Sequence, residues 1–345
     1  MIPYILCLFP ILLVAVFPTE KKASQQSKHF ILALMPLALL MAFKSKYVGA
    51  DTINYNNMFI TMLEGTFDYY VSNERIEIGY KLFLKIISSI SHNSQIQHVV
   101  YASVFVFSLG HFIKKNAKSS ARFVVLFMGM NLFSFYLTGI RQSLAMMICL
   151  FAYECIKEKK PIKFILIVGL ATLFHKSAMF FLFAYPIARM KVTKKKIPLY
   201  VAMFLFVVVG NKFLFDFAGD FFYLKYGIEE TGNGYISVII MAIITVLSFL
   251  KIKPLLAQNP NNMYLINLNA IHMAMWVLRL FSRTAERPSM FYTVFTILLV
   301  EQLILTIENP KDRFLINAAT VCFFGAFFIY RINGSGLVPY TFFWQ

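Results

Sequence analysis

An all-α, polytopic integral membrane protein is the fold class this sequence predicts, and three observations carry it. Hydrophobic residues make up 59% of the 345-residue chain and charged ones only 14%, against about 25% charged in ordinary globular domains. The mean hydropathy is +0.67, which fits a chain that uses lipid as solvent. Apolar runs alternate with short loops rich in Lys and Arg, the pattern of membrane helices oriented by positive charge.

A helix crossing the hydrocarbon needs about 20 mainly apolar residues, fewer where polar flanks snorkel or the segment is re-entrant. That length predicts twelve spans, at about 2–18, 29–44, 95–113, 121–138, 140–156, 162–174, 177–189, 197–213, 235–250, 262–281, 289–307 and 313–330. The segment 2–18 lacks the charged start and small-residue cleavage site of a secretory signal and is taken as a retained first span. The loops TEKKASQQSKH, KKNAKSSAR, KEKKPIK, RMKVTKKK, KIK and ENPKDR hold 20 of the 33 Lys and Arg residues. Positive loops stay cytoplasmic, so both termini and the alternate loops fall outside. The expectation is one transmembrane domain over residues 1–345, with a long extracytoplasmic loop at 45–94 and a second outer loop at 214–234. Within the first loop, Ile78, Leu82, Ile86 and Ile90 recur near helical spacing, which predicts an amphipathic helix on or folded into the outer surface.

The formal net charge of +17 follows from these membrane-flanking loops and not from one soluble basic face, so a nucleic-acid partner is excluded. Cys7, Cys149, Cys155 and Cys322 lie in apolar stretches without the spacing of a zinc or redox pair, and are expected to be buried small hydrophobes.

With the topology drawn, the unusual polar residues gather on the outer side. The stretch Lys46 to Tyr55 (KYVGADTINY) follows the second span and carries a cation, a glycine, Asp51 and Tyr55. Glu77 and Tyr80 lie later in the same loop, and Arg141 and Gln142 follow the Thr138-Gly139 break. His175, Lys176 and Ser177 interrupt two short apolar runs, and Arg279, Arg283 and Arg287 close the tenth span. Charge near hydrocarbon costs about 2.5 to 3.5 kcal/mol at a helix centre, so such groups face partners or a wet cavity.

Arginine is the side chain best matched to phosphate oxygens. Arg279, Arg283 and Arg287, four residues apart, would share one helix face if the helix ran through Glu286, and would there form a diphosphate clamp or a snorkelling cluster with Glu286 as counter-ion. Arg141, at an outward helix N-terminus, adds to the positive end of the dipole and suits an anion, or a carboxylate of the long loop. His175 has the chemistry of a general base or hydrogen-bond donor, and also of a structural turn residue. Asp51 and Glu77 are each able to deprotonate a hydroxyl, balance an oxocarbenium-like centre, or pair with Arg141 or Lys46.

Motifs for other chemistries are missing: no GxxxxGK[ST], no GxSxG, no HExxH and no clustered His or Cys ligands. Asp216 and Asp220 in FDFAGDFF are a weak hint of a metal pair, and neither a metal nor another cofactor is expected.

In order along the chain, a basic residue before VGADTINY, EIGY with Glu77, Gly79 and Tyr80, GIRQSLA with Arg141 and Gln142, FHKSA with His175 and Ser177, the arginine-bearing end of the tenth span, and a closing VPY with Pro339 and Tyr340 resemble the EpsG-type, Wzy-like polymerases of bacterial exopolysaccharide and O-antigen pathways. The resemblance runs through most of the chain. It departs at Lys46, where such proteins often carry arginine, and lysine lacks the bidentate fork. The resemblance implies a glycosyltransferase that joins undecaprenyl-diphosphate-linked oligosaccharide repeats, donor and acceptor both lipid-linked, on the outer face of the bacterial cytoplasmic membrane. A flippase and a chain-length regulator of the same pathway are the implied protein partners. On this basis Asp51, Glu77, Arg141 and His175 are the catalytic candidates, and Lys46, Tyr55, Tyr80, Gln142, Arg279, Arg283, Arg287 and Tyr340 the substrate-binding ones. Two rivals have similar polar needs: a flippase or transporter of the same lipid-linked sugars, and a membrane O-acyltransferase. Charge crowded on one side without an internal repeat favours the polymerase over the transporter, and only the HKS histidine supports the acyltransferase.

Overall fold

In the computed structural model of the protein, residues 1–17, 23–65, 76–191 and 234–345 are described, together with positions 202, 205, 209 and 210. Among the described residues there are helices and no strand beyond a single bridge between Lys44 and Phe342. The helices are α1 (Ile2–Val16), α2 (Ala23–Phe43), α3 (Thr52–Glu64), α4 (Ile78–Ile90), α5 (Gln95–Asn116), α6 (Ser120–Gly129), α7 (Leu132–Thr138), α8 (Ile140–Lys157) and α9 (Pro161–Thr172). A 3₁₀ segment, Lys176–Phe183, runs into α10 (Ala184–Ala188). Then follow α11 (Tyr235–Leu250), α12 (Ile252–Gln258), α13 (Asn262–Arg279), α14 (Glu286–Leu305) and α15 (Pro310–Ile332).

The helical class is as expected, and the described residues do not confirm the count of twelve spans. Among the described residues, three helical segments are long and apolar enough to cross a membrane: Gln95–Asn116, Arg283–Leu305 and Pro310–Ile332. Two bent pairs, α6 with α7 at 67° and α11 with α12 at 73°, raise that number to five if each is one broken span. The apolar stretches Ile2–Val16, Phe30–Phe43, Pro161–Thr172 and Lys176–Ala188 are shorter. At about 1.5 Å per residue such segments fall short of a hydrocarbon layer about 30 Å thick. The expected seventh span is a 3₁₀ segment and a short helix, and the expected eighth, 197–213, lies almost wholly outside the described residues, as does the 214–234 loop with Asp216 and Asp220.

The molecule is built around α6 and α14. All ten residues of α6 are buried, and 89% of the apolar window of α14 is buried inside the protein. Helices α1 and α15 pack on α6, α13 runs along α14, α2 along α5, and α9 along α8. Cys149 and Cys155 are buried as expected; Cys7 is only partly so, and Cys322 is exposed. At the opposite end of α14 from Glu286, Glu301 accepts hydrogen bonds from the Lys118 and Ser119 amides, both at 3.1 Å, and faces Arg122 at 3.8 Å. The carboxylate thereby satisfies orphan amides at the start of α6 and ties the two central helices together.

The described residues of the long loop are largely helical. α3 and α4 pack on each other, and α4 covers the stretch predicted as amphipathic. Its exposed apolar residues are Ile78, Leu82, Ile86 and Ile90, while Tyr80, Leu84 and Ile87 on the other side enter the core. The stripe that the spacing singles out therefore faces outward, as an interfacial helix requires.

Candidate functional site

Four segments distant in sequence meet where α3, α4, α8 and the α9–3₁₀ turn converge. Glu77 immediately precedes α4, and its Oε2 accepts from Arg141 Nη1 at 2.6 Å. Its other oxygen accepts from the Lys176 amide at 3.3 Å. Arg141 is the second residue of α8, held at a helix start by the preceding Gly139 break. Tyr55, on α3, is buried, hydrogen-bonds Arg141 and packs edge-on against Tyr80 with ring centres 5.7 Å apart. Burial pushes the Tyr55 phenol above its ordinary pKa, with Arg141 pulling the other way.

The glycine of EIGY has a steric reason. The Gly79 amide donates to the Leu173 carbonyl at 2.7 Å, and a Cβ at Gly79 would lie 2.6 Å from that oxygen. Only glycine lets α4 approach the end of α9 this closely. The contact sets Glu77 beside the turn that carries His175.

His175 caps the 3₁₀ segment. Its Nδ1 lies 2.7 Å from Ser177 Oγ and accepts from the Ser177 amide at 3.3 Å, so the neutral ring carries its proton on Nε2. Burial, and then the charges of Arg141 and Arg287, lower its pKa to about 3. Arg287 belongs to the same group: its backbone carbonyl accepts from Gln142 Nε2 at 2.6 Å. Tyr55, Glu77, Tyr80, Arg141, Gln142, His175 and Arg287 are thus brought together. Glu77 takes the Arg141 guanidinium and the Lys176 backbone amide, while the charges of Arg141 and Arg287 both bear on a neutral His175, an excess of positive charge suited to an anion. The Arg141 side chain keeps 23% of its surface exposed, so it is accessible from outside.

Other expected members are placed differently. The arginine stripe is not formed, because α13 ends at Arg279 and Ser282 turns extended, its Oγ capping the 3₁₀ turn Arg283–Ala285 before α14 begins at Glu286. Serine favours such a cap over continued helix. Pro288 falls in the first turn of α14, where its missing N–H is tolerated. Arg279 is buried and pairs through Nε with Glu286 Oε2 at 3.1 Å, with Arg331 close enough to feel both charges. Arg283 is exposed. Consecutive residues at the start of α14 therefore serve two groups, Glu286 with Arg279 and Arg287 with His175.

Lys46 is exposed, its ammonium 5.3 Å from the Tyr47 ring centre. It does not pair with Asp51 or Glu77 in any described contact. Asp51 is exposed and precedes α3 without capping it through its side chain; its charge reaches Tyr55. Tyr340 lies apart from Arg141: its hydroxyl donates to the Leu40 carbonyl at 2.9 Å and its ring packs edge-on against Tyr4. The C-terminal segment nevertheless touches the opening motif, through Ser45 N to Thr341 O at 2.9 Å and Gly49 N to Gly336 O at 3.3 Å.

Reasoning from sequence missed Lys44. Placed at the end of the second span, it reads as a snorkelling flank, yet it is 1% exposed and donates to Thr52 and to the Leu137 carbonyl. Asn56 was also missed; its Oδ1 accepts from Gln97 Nε2 at 2.7 Å and His98 Nε2 at 3.1 Å, which fixes the proton of His98 on Nε2 because an amide oxygen only accepts. A lysine adjoining an apolar run two residues before a second lysine was the available signal.

No curated protein and no solved structure matches the chain. A family model does: the one described as the EpsG family matches residues 27–342, a range that takes in α3, α4, α8, the His175 turn and the C-terminal VPY segment. By that match over nearly its whole length, the chain belongs to the EpsG family.

Proposed function

We propose that this protein is a membrane glycosyltransferase that polymerises lipid-diphosphate-linked oligosaccharide repeats, with its site on the outer face of the bacterial cytoplasmic membrane. Membership in the EpsG family supports a role of polysaccharide-polymerase type. The observation that carries the finer reading is the convergence of Arg141, held by Glu77, with Arg287 on neutral His175.

In the proposed reaction a hydroxyl oxygen of the acceptor repeat attacks the anomeric carbon of the donor chain, and the bond from that carbon to the lipid diphosphate breaks. Negative charge grows on the departing phosphate oxygen. Arg141 and Arg287 stand where that charge would be met, at a helix N-terminus that adds its own positive end. Glu77 holds the guanidinium in place and is therefore a weak choice of base. His175, with a pKa of about 3, is also a poor base near neutrality; its Nε2–H is suited to donate to a sugar or phosphate oxygen. The proton of the attacking hydroxyl passes to the exposed carboxylate of Asp51, whose charge reaches the buried Tyr55 behind it. No nucleotide takes part.

Replacement of Arg141 by Ala in the producing cell tests this directly. Surface polysaccharide is expected to collapse to single or few repeats at unchanged protein level, a fall in long chains of about 100-fold or more. Long chains at wild-type abundance would remove Arg141 from the mechanism. Purified protein given lipid-linked repeats is expected to extend them; translocation or acylation without extension would point to a different activity.

A further inference from the structure

No lysine or arginine among the described residues is less exposed than Lys44. Its ammonium donates to Thr52 Oγ1 at 2.8 Å and to the Leu137 carbonyl. Thr52 Oγ1 donates onward to the Val48 carbonyl at 2.6 Å, closing the loop on itself. The loop is pressed against the end of α7: Gly49 has φ +96°, and a Cβ there would lie 3.0 Å from Thr138 Cγ2 and 3.2 Å from the Leu137 oxygen. Leu137 is in the last turn of α7, where carbonyls lose their helical partners and a cation is favoured.

What this amine joins is specific. Thr52 opens α3, and one turn later α3 presents Tyr55 to Arg141. Leu137 lies four residues before Arg141, across the Gly139 break between α7 and α8. The two elements that bear on Arg141 are therefore tied to a single buried charge at the end of α2.

We propose that Lys44, and not Lys46, is the working cation of the KSKYVGADT motif, a positioning residue that fixes the α7–α8 break and α3 so that Arg141 is held at the site. It touches no substrate. The proposal rests on Arg141 being the principal cation of the site, and its mechanical part stands independently of the reaction. A buried lysine that only filled space would be replaceable by methionine, which has similar bulk and no charge.

The test uses the full chain, in cells lacking the native copy and as purified protein in detergent. Lys44→Met is expected to speed amide exchange in the segment 139–142 by about tenfold or more, as loss of a charged hydrogen bond implies, and to shorten the polysaccharide. Thr52→Val is expected to shift both in the same direction by less, and Thr52→Ser, which keeps the hydroxyl, to match wild type. Lys85→Met, on the outward side of α4, is the control and is expected to change neither. Wild-type exchange in Lys44→Met overturns the proposal, as does equal behaviour of Thr52→Val and Thr52→Ser. If Lys44→Met fails to accumulate, the two Thr52 variants decide by the same criteria. If exchange rises while Arg141→Ala still makes long chains, Lys44 positions Arg141 as stated and the polymerase role of Arg141 is what fails.

Discussion

At the scale of single residues the central pair is Arg141 with Glu77. Neutralising the carboxylate in Glu77→Gln removes the charge from the 2.6 Å contact and leaves the guanidinium in place but less constrained. Long-chain polysaccharide is expected to fall by about 10- to 100-fold, since loss of a charged hydrogen bond of about 1.5–3 kcal/mol translates to that range. Chain length resolved by gel electrophoresis at matched protein level checks it. His175 gives a pH dependence with a definite sign. Its pKa is lowered from 6.5 to about 3, so between those values the unfolded chain binds more protons than the folded one. Its contribution to stability is complete above about pH 6.5 and is lost as the pH falls toward 3. Thermal unfolding of purified wild type and His175→Asn from pH 7 to pH 4 measures this: wild type is expected to lose more stability over that range than the variant. These assignments depend on neighbours and not on residue type. Asp51 and Glu77 are equivalent carboxylates in the sequence, and only the approach of α4 to α8 gives Glu77 the arginine and leaves Asp51 exposed.

At the scale of elements, the decisive features are breaks. The Gly139 break starts α8 with Arg141 in its first turn, and this break was visible in the sequence as Thr138-Gly139 before an apolar run. The break between α13 and α14 was not, because Arg279, Arg283 and Arg287 keep helical spacing whether or not the helix continues; the Ser282 cap decides it. The amphipathic helix α4 was legible from Ile78, Leu82, Ile86 and Ile90, but its contact through Gly79 was not, since that glycine answers to a carbonyl 94 positions away. Gly79→Ala tests the contact. A methyl group 2.6 Å from the Leu173 oxygen must displace α4 or the His175 turn, at a cost of about 1–3 kcal/mol. Weaker chain extension with only a modest drop in melting temperature is expected, read from polysaccharide length and thermal unfolding of the same preparation.

At the scale of the molecule, the two ends do different work. One gathers cations around an accessible site; the other buries Glu301 against the start of α6. Glu301→Ala leaves Arg122 buried without its carboxylate and orphans the Lys118 and Ser119 amides, at a cost of about 3–5 kcal/mol. The membrane level of the protein is expected to fall sharply, while the chain length made by the molecules that remain is unchanged. Immunoblotting of membranes beside the polysaccharide profile separates the two effects.

The sequence by itself determined the membrane class, the helical architecture, the outward apolar stripe of α4 and, through the order of its motifs, the family. The first three follow from composition and periodicity, which a chain carries before it folds, and the family follows from the likeness of its ordered motifs to the family pattern. Tertiary structure alone decided that Lys44 is buried while Lys46 is exposed, that Glu77 takes Arg141, that Arg279 and Arg287 fall in two different groups while Arg283 is exposed, and that Tyr340 packs on α2 instead of joining the site. The physical reason is the same in each case. Partner choice and burial depend on which helices touch and where they break, and those contacts join residues far apart along the chain.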